Sequence, residues 1–270
     1  MIVFHLDFKR RIGEMITWTI IIGAIIAILM IFYNMFSSIF RPETFIARLE
    51  SLPNMIREVM GLGEYPDLSE SYQFTAYIFQ YVLLLSCFYS GIIGAKSLTS
   101  EEAKGTIEFL YAQPIGRGSI LIQKLFSGIL QYLIYCIFIY AITCTMIMFL
   151  NPGMNISGIA IDLIRIFIAL LYAGYIFFAI GFFFSALFRS NAESISVIMA
   201  LILITYIIGL MGDILSSIHF LAYLSPIQHV LPLTIFNYGF NNIFLIIGSS
   251  IAVIALIFSI IRYKKKDFLV

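Results

Sequence analysis

Six stretches of this chain carry no Asp, Glu, Lys or Arg for roughly a membrane's width or more: 15–36, 71–95, 125–161, 166–188, 194–212 and 214–261. A helix needs about 20 apolar residues to cross the hydrocarbon core. No arrangement in water could cover this much apolar surface. The balance of the whole agrees: 61% of residues are hydrophobic, 11% are charged and the mean hydropathy is +1.00. Soluble domains carry roughly 25% charged residues. The 270 residues therefore read as one transmembrane domain, 1–270, of an all-α integral membrane protein.

Lys9, Arg10 and Arg11 precede the first apolar run, as in a signal peptide, but the run is too long for one and no small-residue cleavage site follows. It is expected to stay as span 1. The run 125–161 holds one span, ending near the turn signal Asn151-Pro152-Gly153. The first half of 214–261 contains Ser216, Ser217, His219, Pro226, Gln228, His229, Pro232, Asn237, Asn241 and Asn242. Such a run is too polar and broken to face lipid, where freed backbone groups lack partners.

Basic residues settle the parity. With six spans and both termini cytoplasmic, twelve lysines and arginines lie inside and only Arg41, Arg48, Arg57 and Arg165 outside. An odd count would put one basic end outside. The spans are expected near 15–36, 74–95, 121–149, 164–187, 195–216 and 243–262, with an outer-leaflet hairpin, re-entrant or interfacial, before span 6. Met1, Phe4, Phe8 and Ile12 recur at helical spacing beside the basic triplet, which predicts an N-terminal interfacial helix. The acidic exterior loop 37–72 predicts one or two short interfacial helices, either a cap over the spans or an outer gate. The closing Arg-Tyr-Lys-Lys-Lys reads as a cytoplasmic anchor.

One charged insert stands apart. Between spans 2 and 3 lies EEAKGTIEFLYAQPIGR, residues 101–117. Ser100 is placed as an N-cap, and Glu101 and Glu102 sit in the first turn, where the helix dipole favours them. Glu101, Lys104 and Glu108 share one face, and Ala103, Ile107, Leu110 and Tyr111 another. Pro114 ends the helix. Gly105, placed mid-helix, suggests close approach of another backbone. A helix resting on anionic lipid would be basic; three glutamates against one lysine point to a protein partner.

The run Ser100-Glu101-Glu102 … Gly105-Thr106-Ile107-Glu108-Phe109-Leu110 … Pro114-Ile115-x-Arg117, followed by Lys124, resembles the signature of the type-2 ABC exporter permeases. Leu52-Pro53 through Gly61, the segment Phe184 to Ser190 and Tyr223-Leu224-Ser225-Pro226 are similar to the same family, in order along nearly the whole chain. The resemblance implies that the insert is a cytoplasmic amphipathic coupling helix docked on a separate ABC ATPase subunit, with the contact formed or shaped by Glu101, Glu102, Gly105, Thr106, Glu108, Leu110, Pro114 and Arg117. It also implies a second permease copy or a related permease, and export across a bacterial cytoplasmic membrane of a hydrophobic or amphipathic cargo such as a peptide antibiotic or a lipid-like molecule.

The chain has no G-x-x-x-x-G-K-[ST], so ATP and Mg would be held by the partner. No catalytic or metal-binding motif appears; Cys87, Cys136 and Cys144 lie in apolar runs and read as packing residues. Ionisable groups near the bilayer midplane, usual in ion-coupled carriers, are missing. No cofactor and no nucleic-acid partner is expected for this chain, and membrane lipid is its surroundings. A scaffold or sensor that docks a cytoplasmic protein without moving cargo is the alternative; an intramembrane enzyme would need paired polar groups at one depth.

Overall fold

The computed structural model describes residues 2–33, 51–60, 62, 68, 70–103, 105, 116–152 and 156–266. Along the chain these form α1 (Ile2–Ile31), α2 (Asn54–Val59), α3 (Ser71–Lys96), α4 (Ser100–Ala103), α5 (Arg117–Leu150), α6 (Ile156–Leu187) and α7 (Asn191–Ile214). Two 3₁₀ segments follow, Ser216–Leu224 and Gln228–Val230, then α8 (Pro232–Tyr238) and α9 (Asn242–Lys264). No strand occurs among the described residues. Six helices, α1, α3, α5, α6, α7 and α9, are long and apolar enough to cross a membrane.

Helices α3 and α6 form the buried centre, while α7 and α9 have few buried residues. The centre is set by glycine. A methyl group at Gly94 would run into the Phe178 carbonyl oxygen, and one at Gly181 into the Gly91 carbonyl oxygen. Small residues let two helix backbones approach until dispersion between them replaces the missing hydrophobic drive. Tyrosines add hydrogen bonds between helices. Tyr132 Oη donates to the Leu170 carbonyl at 2.9 Å, Tyr140 Oη to that of Ala160 at 2.7 Å and Tyr172 Oη to that of Phe244 at 2.9 Å. Tyr89, Tyr132 and Tyr135 are thus core residues, not part of a lipid-facing belt.

The N-terminus differs from expectation. No break separates an interfacial helix from span 1: α1 is one helix of 30 residues. At 1.5 Å per residue it is about 45 Å long, against a ~30 Å hydrocarbon core. Val3, Asp7, Arg11 and Met15, spaced by four, are all buried, and the stripe continues through Ile22, Ile26 and Met30. The amphipathic face packs on protein, chiefly α5, where Gln131 Nε2 donates to the Arg11 carbonyl at 2.9 Å.

The broken run before α9 is folded back on the bundle. Gly212 lets it approach: a methyl there would sit 2.7 Å from the Ala222 backbone nitrogen. Gln228 and His229 are buried, and His229 stacks on Phe244 with ring centroids 4.9 Å apart. Pro232 opens α8, where its missing N–H has no partner to lose. Gly239, at φ +80°, closes it. Asn241 Oδ1 then accepts from Ile243 N at 2.9 Å and caps α9.

Of the loop 37–72, α2 is described and lies against α7, with Met55 and Ile56 exposed; most of the rest lies outside the described residues.

Candidate functional site

Both ends of the chain meet α4, and the site is built around that single helical turn. Three residues separate it from α3, and the last turn of α3 is where the organisation begins. Helix ends leave four carbonyls without intrahelical partners. Here hydroxyls four residues on take part of that role: Ser97 Oγ donates to the Ile93 carbonyl at 2.8 Å and Ser100 Oγ to that of Lys96 at 2.5 Å. Ser100 therefore reaches backwards instead of capping α4, because the chain runs on from α3 almost without a break.

Two cations complete this helix end. Arg11 Nη1 donates to the Ile93 carbonyl at 3.0 Å and Nη2 to that of Lys96 at 3.2 Å. Lys124 Nζ, from α5, donates to the Ser97 carbonyl at 2.8 Å. Positive charge at a helix C-terminus is favoured by the aligned peptide dipoles. Lys124 is 1% exposed and Arg11 4%, so each needs an acid as well.

The acids are Asp7 and Glu101. Glu101 Oε2 is in close contact with Lys124 Nζ, and Glu101 Oε1 lies 3.1 Å from Arg10 Nη1. Asp7 Oδ1 lies 2.8 Å from Arg10 Nη2 and 3.2 Å from Arg11 Nη2. One continuous chain of charges, Arg11–Asp7–Arg10–Glu101–Lys124, ties α1 to α4 and α5. Thr99 Oγ1 lies 2.6 Å from Asn191 Oδ1, bringing in the first residue of α7.

The second glutamate of α4 turns to the other terminus. Glu102 Oε1 lies 2.7 Å from Lys266 Nζ, which also donates to the Phe188 carbonyl, just past the end of α6, at 2.6 Å. Arg117 Nη1 donates to the Lys266 carbonyl at 3.0 Å. Burial lowers the Lys266 pKa from its ordinary value, and Glu102 opposes that shift.

The structure thus places Glu101 and Glu102 inside the protein, with side chains only 13% and 10% exposed. Arg117 is exposed at the start of α5. Gly105 is not mid-helix: α4 ends at Ala103, and Gly105 adopts φ +66°, a left-handed turn that closes it. Among the described residues nothing lies within 4 Å of where its Cβ would be, and the backbone angle by itself calls for a glycine. Thr106, Glu108, Leu110 and Pro114 lie outside the described residues.

Asp7, Arg11 and Lys266 were absent from the sequence-derived site, and Lys124 entered it only as the lysine after the motif. Asp7, Arg10 and Arg11 at i, i+3 and i+4 carried a readable signal for intrahelical pairing. Lys266 carried none, since the two lysines before it are exposed in the ordinary way.

At the far end, a cleft of about 380 Å³ lies beside the folded-back segment, lined among others by His229, Thr234, Tyr238, Asn241 and Phe244. His229 Nε2 lies 3.0 Å from the Tyr223 carbonyl, and since a carbonyl only accepts, that contact is a hydrogen bond when Nε2 carries the proton. Among the described residues, no group of three or more His, Cys, Asp or Glu is arranged to hold a metal ion. What the described residues show around α4 is a short element joined by ion pairs to α1, to α5 and to Lys266 beyond the end of α9.

The family model described as "ABC-2 family transporter protein" matches residues 1–268. No curated protein matches the chain.

Proposed function

Because the chain belongs to the ABC-2 family of transporter proteins, membrane permease components of ABC transporters, we propose that it is the permease of an exporter driven by a separate ATPase subunit. The observation that carries this reading is the fastening of α4. Ion pairs join it to α1, α5 and the residue two beyond α9, and through Lys266 to the end of α6. An element held this way passes displacement to the helices behind it instead of absorbing it.

In this reading the insert is the coupling element, and the end of the bundle carrying both termini faces the cytoplasm of a bacterium. The ATPase contact is formed or shaped by Glu101, Glu102, Gly105, Thr106, Glu108, Leu110, Pro114 and Arg117. Glu101 and Glu102 act from within, setting the angle of the element, and Gly105 turns the chain towards the partner. ATP and Mg sit on that partner. A second permease copy or a related permease completes the path, and the cargo is hydrophobic or amphipathic.

Affinity purification of the chain from its native membrane tests this. A stoichiometric P-loop protein is expected to accompany it, and Glu108→Lys is expected to abolish that association while membrane insertion persists. If the chain comes alone under conditions that preserve other such complexes, the permease reading fails and a scaffold takes its place. A cargo-dependent ATPase rate separates transport from docking alone.

A further inference from the structure

The last three lysines before the end of the described chain are treated differently by the fold. Lys264 and Lys265 are exposed, as a basic anchor beside a membrane requires. Lys266 is withdrawn, with its side chain 5% exposed. The chain turns to bring it in: α9 ends at Lys264, and Lys266 N donates to the Tyr263 carbonyl at 3.3 Å. An ammonium removed from water gives up its hydration and must be repaid in contacts. It also no longer serves an anionic surface.

What Lys266 gains is a meeting of four elements. Its ammonium lies 2.7 Å from Glu102 of α4 and 2.6 Å from the Phe188 carbonyl beyond α6. Its own carbonyl accepts Arg117 Nη1 from the start of α5 at 3.0 Å. It leads directly out of α9. Phe188 follows the last turn of α6, where the helix dipole favours a cation. The rest of α9 is among the least covered of the long helices. Among the described elements α9 packs chiefly on α6, so a fastening that takes in α4 and the end of α6 together ties this pair to the element that receives the input.

We propose that Lys266 is a positioning residue that clasps α9 and the end of α6 to α4, so that movement of α4 is passed to α9. The inference rests on the permease reading above and adds to it the route by which the last span follows.

The test uses the full chain with its three native cysteines replaced by alanine. In the purified chain alone, spin labels at Ser119→Cys and Lys265→Cys, both exposed positions, report the clasp. One narrow distance is expected for the parent and a broadened, longer distribution for Lys266→Met. An unchanged distribution overturns the clasp, whatever the fate of the permease reading.

In the complex with the co-purified ATPase, labels at Leu215→Cys and Ile246→Cys report the far ends of α7 and α9. ATP with vanadate is expected to shift that distance in the parent. In Lys266→Met the ATPase should still bind and hydrolyse ATP while the shift is lost. Lys266→Glu combined with Glu102→Lys should recover part of it. A full shift in Lys266→Met overturns the proposal, as does loss of ATPase binding, which would make Lys266 a docking residue. Absence of any ATPase with the parent sinks the permease reading itself, and the labels at 119 and 265 tell the two failures apart.

Discussion

The end of the bundle that carries both termini is held by charge, and the far end by shape. Around α4, buried or half-buried ions from α1, α4, α5 and the residue two beyond α9 meet at set distances. At the far end the folded-back segment rests on Gly209 and Gly212 of α7, with Ser225 and Ala222 in the spaces a side chain would fill. Ion pairs specify which atoms meet and lose most of their value when one moves away. Glycine contacts specify only how near two backbones come. An end that must pass on a displacement profits from the first kind, and an end that must change its packing from the second. Between them, Gly94 and Gly181 hold α3 against α6.

The largest effect belongs to that middle. Gly181→Val would drive its side chain into the Gly91 carbonyl, which no rotamer can relieve. Its cost lies above the ~1–3 kcal/mol of ordinary overpacking. Loss of the monodisperse, detergent-solubilised chain in size-exclusion chromatography is expected. A well-behaved Gly181→Val protein would mean that the two ends are not joined through this crossing.

At the charged end, Glu101→Gln leaves Lys124 buried without its acid. Breaking such a pair from one side costs about 3–5 kcal/mol. Adding Lys124→Met should recover most of it, because the stranded charge is removed. A double-mutant cycle by thermal unfolding checks this, and simple additivity of the two changes would refute the pairing.

Gly212→Ala probes the shape-held end. Its methyl would meet the Ala222 nitrogen at 2.7 Å, for a cost of about 1–3 kcal/mol. Proteolytic sensitivity should rise within 215–230, while co-purification of the ATPase stays as it was. Reduced ATPase binding would show that the ends are not independent.

Gly105→Ala is smaller still. With no described residue crowding its Cβ, the φ of +66° is what is at stake, about 1–2 kcal/mol for a non-glycine residue. Gly105→Asn should cost less, since asparagine visits this region more readily. Equal losses for both in thermal unfolding would mean that contact, not backbone angle, requires the glycine.

The two kinds of joint were not equally legible in the sequence. Apolar run length is local, so the six spans, the end of α5 near Asn151 and the broken segment before α9 could all be read. The motif at 100–117 begins with α4, where the ion pairs meet. The ion pairs between elements could not be read, because they join residues far apart: Arg10 and Glu101 are 91 positions distant, and Lys124 and Glu101 are 23. Lys9, Arg10 and Arg11 have a sufficient explanation in topology, which hides that Arg10 and Arg11 are structural. Gly105 looked internal because the residues after it keep helical spacing, and no local signal announces a left-handed turn after one turn of helix. Lys266 looked like one more anchor lysine.

The smallest predicted effect sharpens the comparison within the charged end itself. Lys96 Nζ lies 2.9 Å from Glu14 Oε1, closer than two of the pairs in the buried chain of charges, at 3.1 and 3.2 Å. Its side chains are 26% and 45% exposed, so water competes for both ions and holding two long side chains in one geometry costs entropy. Lys96→Ala should therefore lower stability by about 0–1 kcal/mol, and that small loss should vanish at high salt, where the Debye length falls to about 3 Å. Glu101→Gln should keep most of its effect at the same salt, because mobile ions do not reach Lys124. Both pairs join a lysine to a glutamate at the same end of the bundle; burial is the variable that separates them. If the two substitutions responded to salt alike, the buried chain of charges would be no stiffer than a surface pair, and the distinction between an end held by charge and an end held by shape would lose its physical basis.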